Sequence, residues 1–502
     1  MTLTKRPTPA TTFPQLAELL GSSDRNYVAG RWVGAASKET FEVINPADAR
    51  EVLGRFPASD ERDVVAAIEA AEAASASWRR TPAPKRATIV LQAITLLKER
   101  SEALAQALTW EAGKALAEAR VEVARGIAAM EYLAGEGRRM AGQTIPSEQP
   151  GMAAYTLRRP LGVVAVITPW NFPFAIPAWK LAPALVTGNT VVLKPAEQTP
   201  VCAALIVQAF HEAGLPAGVL NMVNGDGNVG AKLVAHPTVK AITFTGSTAV
   251  GKAINQAAAA RLAKVQLELG GKNAAIVCAD ADLDLAAREV TAGAWGSCGQ
   301  RCTATSRVLV EKAIVKAFTE KLLAIAPTMR VGAGLEDGSV VGPLINQEGL
   351  DKVEHYMATA RSEGLTVACG GARPDGELAH GYFFQPTLLT GATPRNTVAK
   401  EEIFGPVLTL IEFDTLDQAL EIANDVTYGL SSAIFTKDVS KVYRYQEEIE
   451  SGLLHVNCPT VFSEVHLPFG GLKDSGFGGR EMGPTVVDFY TEWQTMYLKH
   501  GV

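Results

Sequence analysis

The chain is predicted to be an α/β protein of two domains, and three observations carry the prediction. Short apolar, β-branched runs alternate with amphipathic stretches from Gly162 to Gly271, a second series of the same kind follows Gly271, and a long stretch of helical periodicity precedes both. A parallel strand is buried on both faces and its crossover connection is usually a helix, so this alternation is the pattern of parallel sheets covered by helices.

The elements follow in order. From Asp60 to about Ala134, Val64, Val65, Ile68 and Ala71, then Ile89, Leu91, Ile94 and Leu97, recur at helical spacing among charges, which predicts a helical covering layer. The first strand series reads GVVAVITP, TVVLKPA, VLNMVNG, AITFTG and VQLELGG. The second reads AAIVC, RVLVEK, LTVACGG, PVLTLIEF, SSAIFT and GLLHVN. The last segment, VVDFYTEWQTMYL, places Phe489, Thr491, Trp493, Thr495 and Tyr497 on one face by period-two alternation, as in a strand. Two readings stay open for it: a strand finishing its own domain's sheet, or one paired across a subunit boundary, because an exposed apolar edge otherwise invites aggregation.

Composition narrows the function classes. The 502 residues carry 47 Lys+Arg against 53 Asp+Glu, a net charge of -6, so no basic face is expected for nucleic acid. With 47% hydrophobic and 20% charged residues, the chain is expected to fold throughout. Apolar stretches such as LGVVAVITPW from Leu161 are broken well before the roughly 18 residues of a membrane span, so no membrane partner is expected either. The opening MTLTKRPTPATTFPQLAELL lacks the apolar core of a secretory signal and reads as a flexible tail, with an organelle transit peptide as the alternative. Cys202, Cys278, Cys298, Cys302, Cys369 and Cys458 are sparse and irregular, without CxxC pairs or a Cys/His cluster, which argues for a reducing cytoplasm and against a bound metal.

Several segments could carry chemistry. Gly225 to Gly230 reads GDGNVG after VLNMVN, either a dinucleotide fingerprint or a plain glycine turn before a helix, with no acidic residue ending the next strand. In FTGSTAVG a β-rich run stops at Gly246 and a helix begins; Ser247 there either helps bind an anion or serves as an N-cap. Cys302 in GQRCT sits beside Arg301, a cation expected to favour thiolate, and is read as a nucleophile or as an inert buried thiol. Glu268 ends a strand at a double glycine, as a general base or as a turn carboxylate. Asn171, between two prolines in TPWNFPF, is a rigid amide donor of the kind an oxyanion needs, and Lys194 and Glu197 share the next strand end.

Taken together and in order, TPWNFPF, KPAEQTP, FTGSTAVG, ELGGKN, GQRC, EIFGPV and PFGGLKDSG resemble the NAD(P)-dependent aldehyde dehydrogenase family, from about Tyr27 to Tyr497. The resemblance implies a Rossmann-like dinucleotide-binding domain (1–140 and 159–271), an α/β catalytic domain (272–470), and a small β bridging element for oligomerisation (141–158 and 484–502) that assembles homodimers or homotetramers. It makes Cys302 the nucleophile, Glu268 the general base and Asn171 the oxyanion donor, with Lys180 and Glu481 in a proton relay; the GFGGREMG segment around Glu481 is richer in glycine than the commoner family pattern. Lys194 and Glu197 would hold the adenosine ribose, Trp170 and Ser247 the pyrophosphate, and Glu402 the nicotinamide ribose. Thr168, Gly230, Thr245, Gly246, Leu269 and Phe404 complete the expected cofactor contacts. NAD is the expected cofactor, since Glu197 would repel the extra phosphate of NADP; Lys194 offsets part of that repulsion and keeps NADP as the alternative.

The implied reaction is oxidation of an aldehyde to an acid through a thiohemiacetal and a thioester, with Glu268 favouring hydrolysis over transfer to coenzyme A. An idle structural relative is the competing class, opposed by the intact Cys302, Glu268 and Asn171. AIPAWK, CTATSR and the ending after HVNCPT look most similar to semialdehyde-oxidising members, acting for example on 2-oxoglutarate or succinate semialdehyde. Arg301 is then a candidate carboxylate receptor, whereas a tunnel lined by Phe174, Trp179 and Phe462 would favour an aromatic or aliphatic aldehyde.

Overall fold

The strands Val163–Ile167, Thr190–Lys194 and Asn273–Val277 are buried at every position, the mark of β-branched segments covered on both faces. The computed structural model describes residues 25–500, so the tail or transit segment expected at the N-terminus lies outside the described residues. Among the described residues no helix is long and apolar enough to cross a membrane.

The first series of strands forms the core of an eight-stranded sheet. Val163–Ile167 lies near its middle; Thr190–Lys194 and Leu220–Met222 add in parallel on one side, Val239–Thr245 and Lys264–Glu268 on the other. Chain order therefore reverses between Val163–Ile167 and Val239–Thr245, and in open α/β sheets ligands bind at such a reversal, outside the carboxyl ends of the strands. Short antiparallel strands close both edges: Asn26–Val28 with Arg31–Val33 on one, Gly476–Gly478 on the other.

The helical region is divided between the two faces of this sheet. Val64, Ala67, Ile68 and Ala71 of helix Glu61–Arg80 pack with Val163, Ala165 and Ile167, together with Leu233 and Ile254. Helices Ala83–Glu99, Ser101–Ala112 and Leu116–Ala134 supply Ile94, Leu104 and Met130 to the other face, against Val164 and Val166. The single covering layer expected from periodicity is thus two. The Glu61–Arg80 helix begins at a capping box, Asp60 accepting from Arg62 N–H at 2.8 Å and Asp63 reaching back to Asp60 N–H at 3.0 Å.

The second series forms a seven-stranded sheet, parallel except at one edge. That edge is Thr366–Cys369, the LTVACGG run, which pairs antiparallel with Thr387–Ala392, a strand the sequence reading did not single out. A third sheet joins Thr491–Lys499 to Met152–Pro160 and Thr144–Ile145. Phe489 does not share the strand face expected of it: it belongs to the short helix Val486–Tyr490 and is buried in the core. Thr491–Lys499 pairs within its own chain on one edge, and its side chains, Trp493 and Tyr497 among them, are largely exposed.

Candidate active site

The loops that leave the two strands flanking the reversal meet in a cavity of about 290 Å³ lined by Trp170, Asn171, Thr245, Gly246, Ser247, Leu269, Glu402 and Phe404, with Cys302 in its wall. A neighbouring groove of about 500 Å³ is lined by Glu197, Gly225 and Asp226, and Gln198, Ile345 and Asn346 line both spaces. Thr168 is buried at the end of the first strand, its N–H donating to Lys194 O at 3.1 Å and its hydroxyl without a partner. Ser247 caps helix Thr248–Ala259, accepting from Val250 N–H at 3.4 Å, and the same residue lines the cavity. The positive end of the helix is therefore presented to the cavity.

Lys194 Nζ lies 3.3 Å from Glu197 Oε2, the ammonium buried and the carboxylate partly exposed to the groove. Burial pushes the lysine pKa down. The GDGNVG segment is a turn opening helix Gly227–Ala235, capped by Asp226; a Cβ at Gly230 would meet only Lys194 Cδ, at 3.8 Å. At the other end of the cavity Glu402 accepts from Gly271 N–H at 2.8 Å, and burial raises its pKa. Phe404 has a left-handed backbone, φ 60°, and its ring meets Trp170 edge-on at 5.4 Å, an uncommon conformation of the sort that clusters at ligand sites.

The cysteine loop is held from several sides. Ser297, Cys298 and Gly299 take φ of 48°, 55° and 66° in succession, and a Cβ on Gly299 would lie 2.1 Å from Gly405 O. Glu118 accepts from Ser297 N–H at 2.9 Å and from Arg301 Nη2 at 2.8 Å. Asn273 Nδ2 donates to Cys302 O and to Ala304 O, both at 2.8 Å. Asn171 Nδ2 donates to Gln300 O at 3.1 Å, which joins the amide to the loop that carries the thiol.

The structure corrects the expected role of Arg301. Its guanidinium is spent on Glu118 and Ser297 Oγ, and the Cys302 thiol is pushed up to about 12 by burial and by the carboxylates of Glu268, Glu402 and Glu481. Sequence adjacency placed a cation beside the cysteine; the side chain turns to an acid on a distant helix.

Glu268 is buried at its strand end. Its Oε1 points at Gly470, where a Cβ would lie 2.4 Å away, and its Oε2 has no hydrogen-bond partner. Burial, then the charge of Glu481, raise its pKa well above the usual carboxylate range. Glu481 forms an ion pair with Lys180 and accepts from Trp179 Nε1 at 2.8 Å; Lys180 also donates to Thr243 Oγ1 at 2.7 Å. Lys180 and Glu481 thus come to lie within electrostatic reach of Glu268.

Phe174, Trp179 and Phe462 do not form one apolar channel. Phe174 is fully buried in the core against Gly126, Trp179 is nearly buried and engaged with Glu481, and Phe462 is 52% exposed on the loop after strand Leu453–Val456. Two lining residues stand outside the set expected from sequence: Gln300, although it lies within GQRC, and Asn346, whose Oδ1 caps helix Gln347–Ser362 by accepting Gly349 N–H at 2.9 Å. The polar residue just before that helix was the available signal.

Comparison with known proteins agrees with this geometry. The model of the Aldehyde dehydrogenase family matches residues 32–496. The chain is 45% identical over 476 residues to the alpha-ketoglutaric semialdehyde dehydrogenase of Bacillus subtilis, covering 94% of this chain and 98% of that one. It is 42% identical over 476 residues to the alpha-ketoglutarate semialdehyde dehydrogenase of Haloferax volcanii, with the same coverage of 94% and 98%. Among solved structures, the betaine aldehyde dehydrogenase of Staphylococcus aureus in complex with NAD+ superposes with a TM-score of 0.94 at 36% identity, over 97% of this chain and 96% of that one.

Proposed function

Because the chain belongs to the aldehyde dehydrogenase family, we propose that it oxidises a carboxylate-bearing semialdehyde to the corresponding acid with NAD(P), through a thioester on Cys302. The observation that carries this reading is that Asn171, Cys302 and Glu402 line one cavity at the reversal of strand order, with Glu268 at the end of strand Lys264–Glu268 in electrostatic reach of the thiol and Glu197 in the neighbouring groove. The near full-length similarity to two semialdehyde dehydrogenases supports the substrate class.

The residues fit a dinucleotide. Glu197 and Glu402 offer carboxylates to its two riboses, and Ser247 with the start of helix Thr248–Ala259 offers N–H groups and a helix dipole to the phosphates between them. When bound, the nicotinamide supplies the hydride acceptor. Cys302 attacks the aldehyde carbon once its thiol has lost a proton. An amide nitrogen carries two N–H bonds, so Asn171, anchored to Gln300 O by one, keeps the other for the oxygen that becomes negative. Glu268, whose proton affinity burial and then Glu481 hold well above the usual carboxylate range, takes a proton from the water that cleaves the thioester once it has ionised. Lys180 and Glu481 give that proton a buried neighbour to pass to.

Glu197 favours NAD over NADP by repelling the extra phosphate, with Lys194 moderating the preference. We place the enzyme in the cytoplasm as a homodimer or homotetramer, the exposed strand Thr491–Lys499 meeting a second copy. The test is absorbance of reduced nicotinamide with a panel of aldehydes, NAD or NADP, with and without coenzyme A. Turnover is expected to be best with ω-oxo acids and NAD, without coenzyme A. No turnover of any aldehyde, or a strict requirement for coenzyme A, would overturn the reading.

A further inference from the structure

Helix Leu116–Ala134 borders the catalytic loops through three neighbouring residues. Glu122 accepts from the N–H groups of Phe174 and Ala175 at 3.1 and 3.2 Å, Gly126 lies against the Phe174 ring, and between them on the same part of the helix stands Arg125. Arg125 Nη2 donates to Ser463 Oγ, on the loop after strand Leu453–Val456. The same loop touches the helix again where His466 meets Tyr132, ring centroids 6.2 Å apart. Arg125 does not line the cofactor cavity, and Cys302 and Val465, the latter from the loop of Ser463, pack against the same core that Ile127 and Met130 of its helix build.

The cations nearby differ in how they are satisfied. Lys114 pairs with Glu122, and Arg301 pairs with Glu118. Arg125, partly buried, has no carboxylate partner among the described residues. Burial, then Arg301, pull its pKa down and Cys302, once ionised, would raise it, which sets Arg125 near the cysteine loop; a guanidinium stays charged throughout. A partly buried cation with a hydroxyl neighbour and no anion is half of a charge-assisted pair.

We propose that Arg125, steadied by Ser463, receives the distal carboxylate of the substrate while Cys302 engages its aldehyde. The proposal rests on the reading above that the substrate carries such a carboxylate. It replaces Arg301, whose guanidinium is already occupied. The planar fork keeps Nε and Nη1 free of Ser463, a donor set suited to two carboxylate oxygens.

The test pairs two aldehydes of equal length, 5-oxopentanoate and pentanal, on the wild-type enzyme and on Arg125→Leu, Arg125→Lys and Ser463→Ala. Arg125→Leu should raise KM for 5-oxopentanoate by about 10- to 100-fold, the range expected for a charged hydrogen-bond partner, and leave pentanal turnover within about twofold. Arg125→Lys should restore part of the lost affinity, and Ser463→Ala should cost less than Arg125→Leu. Activity on pentanal reports that each variant is folded. A wild-type preference for 5-oxopentanoate that Arg125→Leu leaves intact would overturn the assignment of Arg125 alone. Equal loss on both aldehydes would also overturn it, assigning the residue a structural role. No preference in the wild-type enzyme would remove the carboxylate reading and this proposal with it.

Discussion

Lys180 and Glu481, 301 residues apart in the chain, form an ion pair whose side chains are only 1% and 2% exposed, beside the carboxylate of Glu268. The two members act on Glu268 in opposite directions: Glu481 raises its proton affinity and Lys180 lowers it, with Glu481 the stronger.

The pH dependence of thioester hydrolysis follows. A base with a raised pKa is inactive below that pKa, so hydrolysis should rise with pH as Glu268 ionises. Glu481→Gln removes the negative charge that adds to the effect of burial, and the rising limb should move to lower pH. Stopped-flow decay of the thioester across a pH series measures this; a limb that stays in place would show that Glu481 does not govern Glu268.

Separating the two chemical stages distinguishes Cys302 from Glu268. Cys302→Ala should abolish aldehyde oxidation and leave dinucleotide binding, followed by fluorescence titration, intact. Glu268→Gln should still give a burst of reduced cofactor and then stall, with turnover lowered about 10²- to 10⁴-fold, as general-base losses are. Loss of the burst itself would move Glu268 to an earlier step.

Asn171→Ala should lower turnover by about 10²- to 10³-fold, the usual consequence of deleting one oxyanion donor. Because Asn171 also holds Gln300 O, a thermal melt of the variant belongs beside the rate. A variant with altered cofactor affinity and normal kcat would contradict the oxyanion role.

Glu197→Ser removes both the ribose acceptor and the negative charge in the groove. The ratio of kcat/KM for NAD over NADP should fall. An unchanged ratio would mean that Glu197 does not face the ribose.

The site was legible where chemistry clusters at strand ends. Trp170, Asn171, Thr245, Ser247 and Glu268 all lie in short motifs that close a β run, and the fold brings those ends to one place. Pairings across long stretches of chain were not legible. Arg301 and Glu118 are 183 residues apart, and nothing in GQRC says that the guanidinium turns away from the thiol. Arg125 falls in sequence among the charges of a helical stretch, and Phe174 reads as a tunnel wall, because Ser463 and Gly126 meet them only after folding. The helical layer was split for the same reason: periodicity locates an apolar face and does not say which side of the sheet it covers.

Gly470 has no reactive atom, yet it sits where any side chain would collide with Glu268 Oε1 at 2.4 Å and with Arg480 Nη1 at 2.7 Å. A substitution at Gly470 would therefore displace the carboxylate on which the proposed hydrolysis depends, through a position that takes no part in the chemistry.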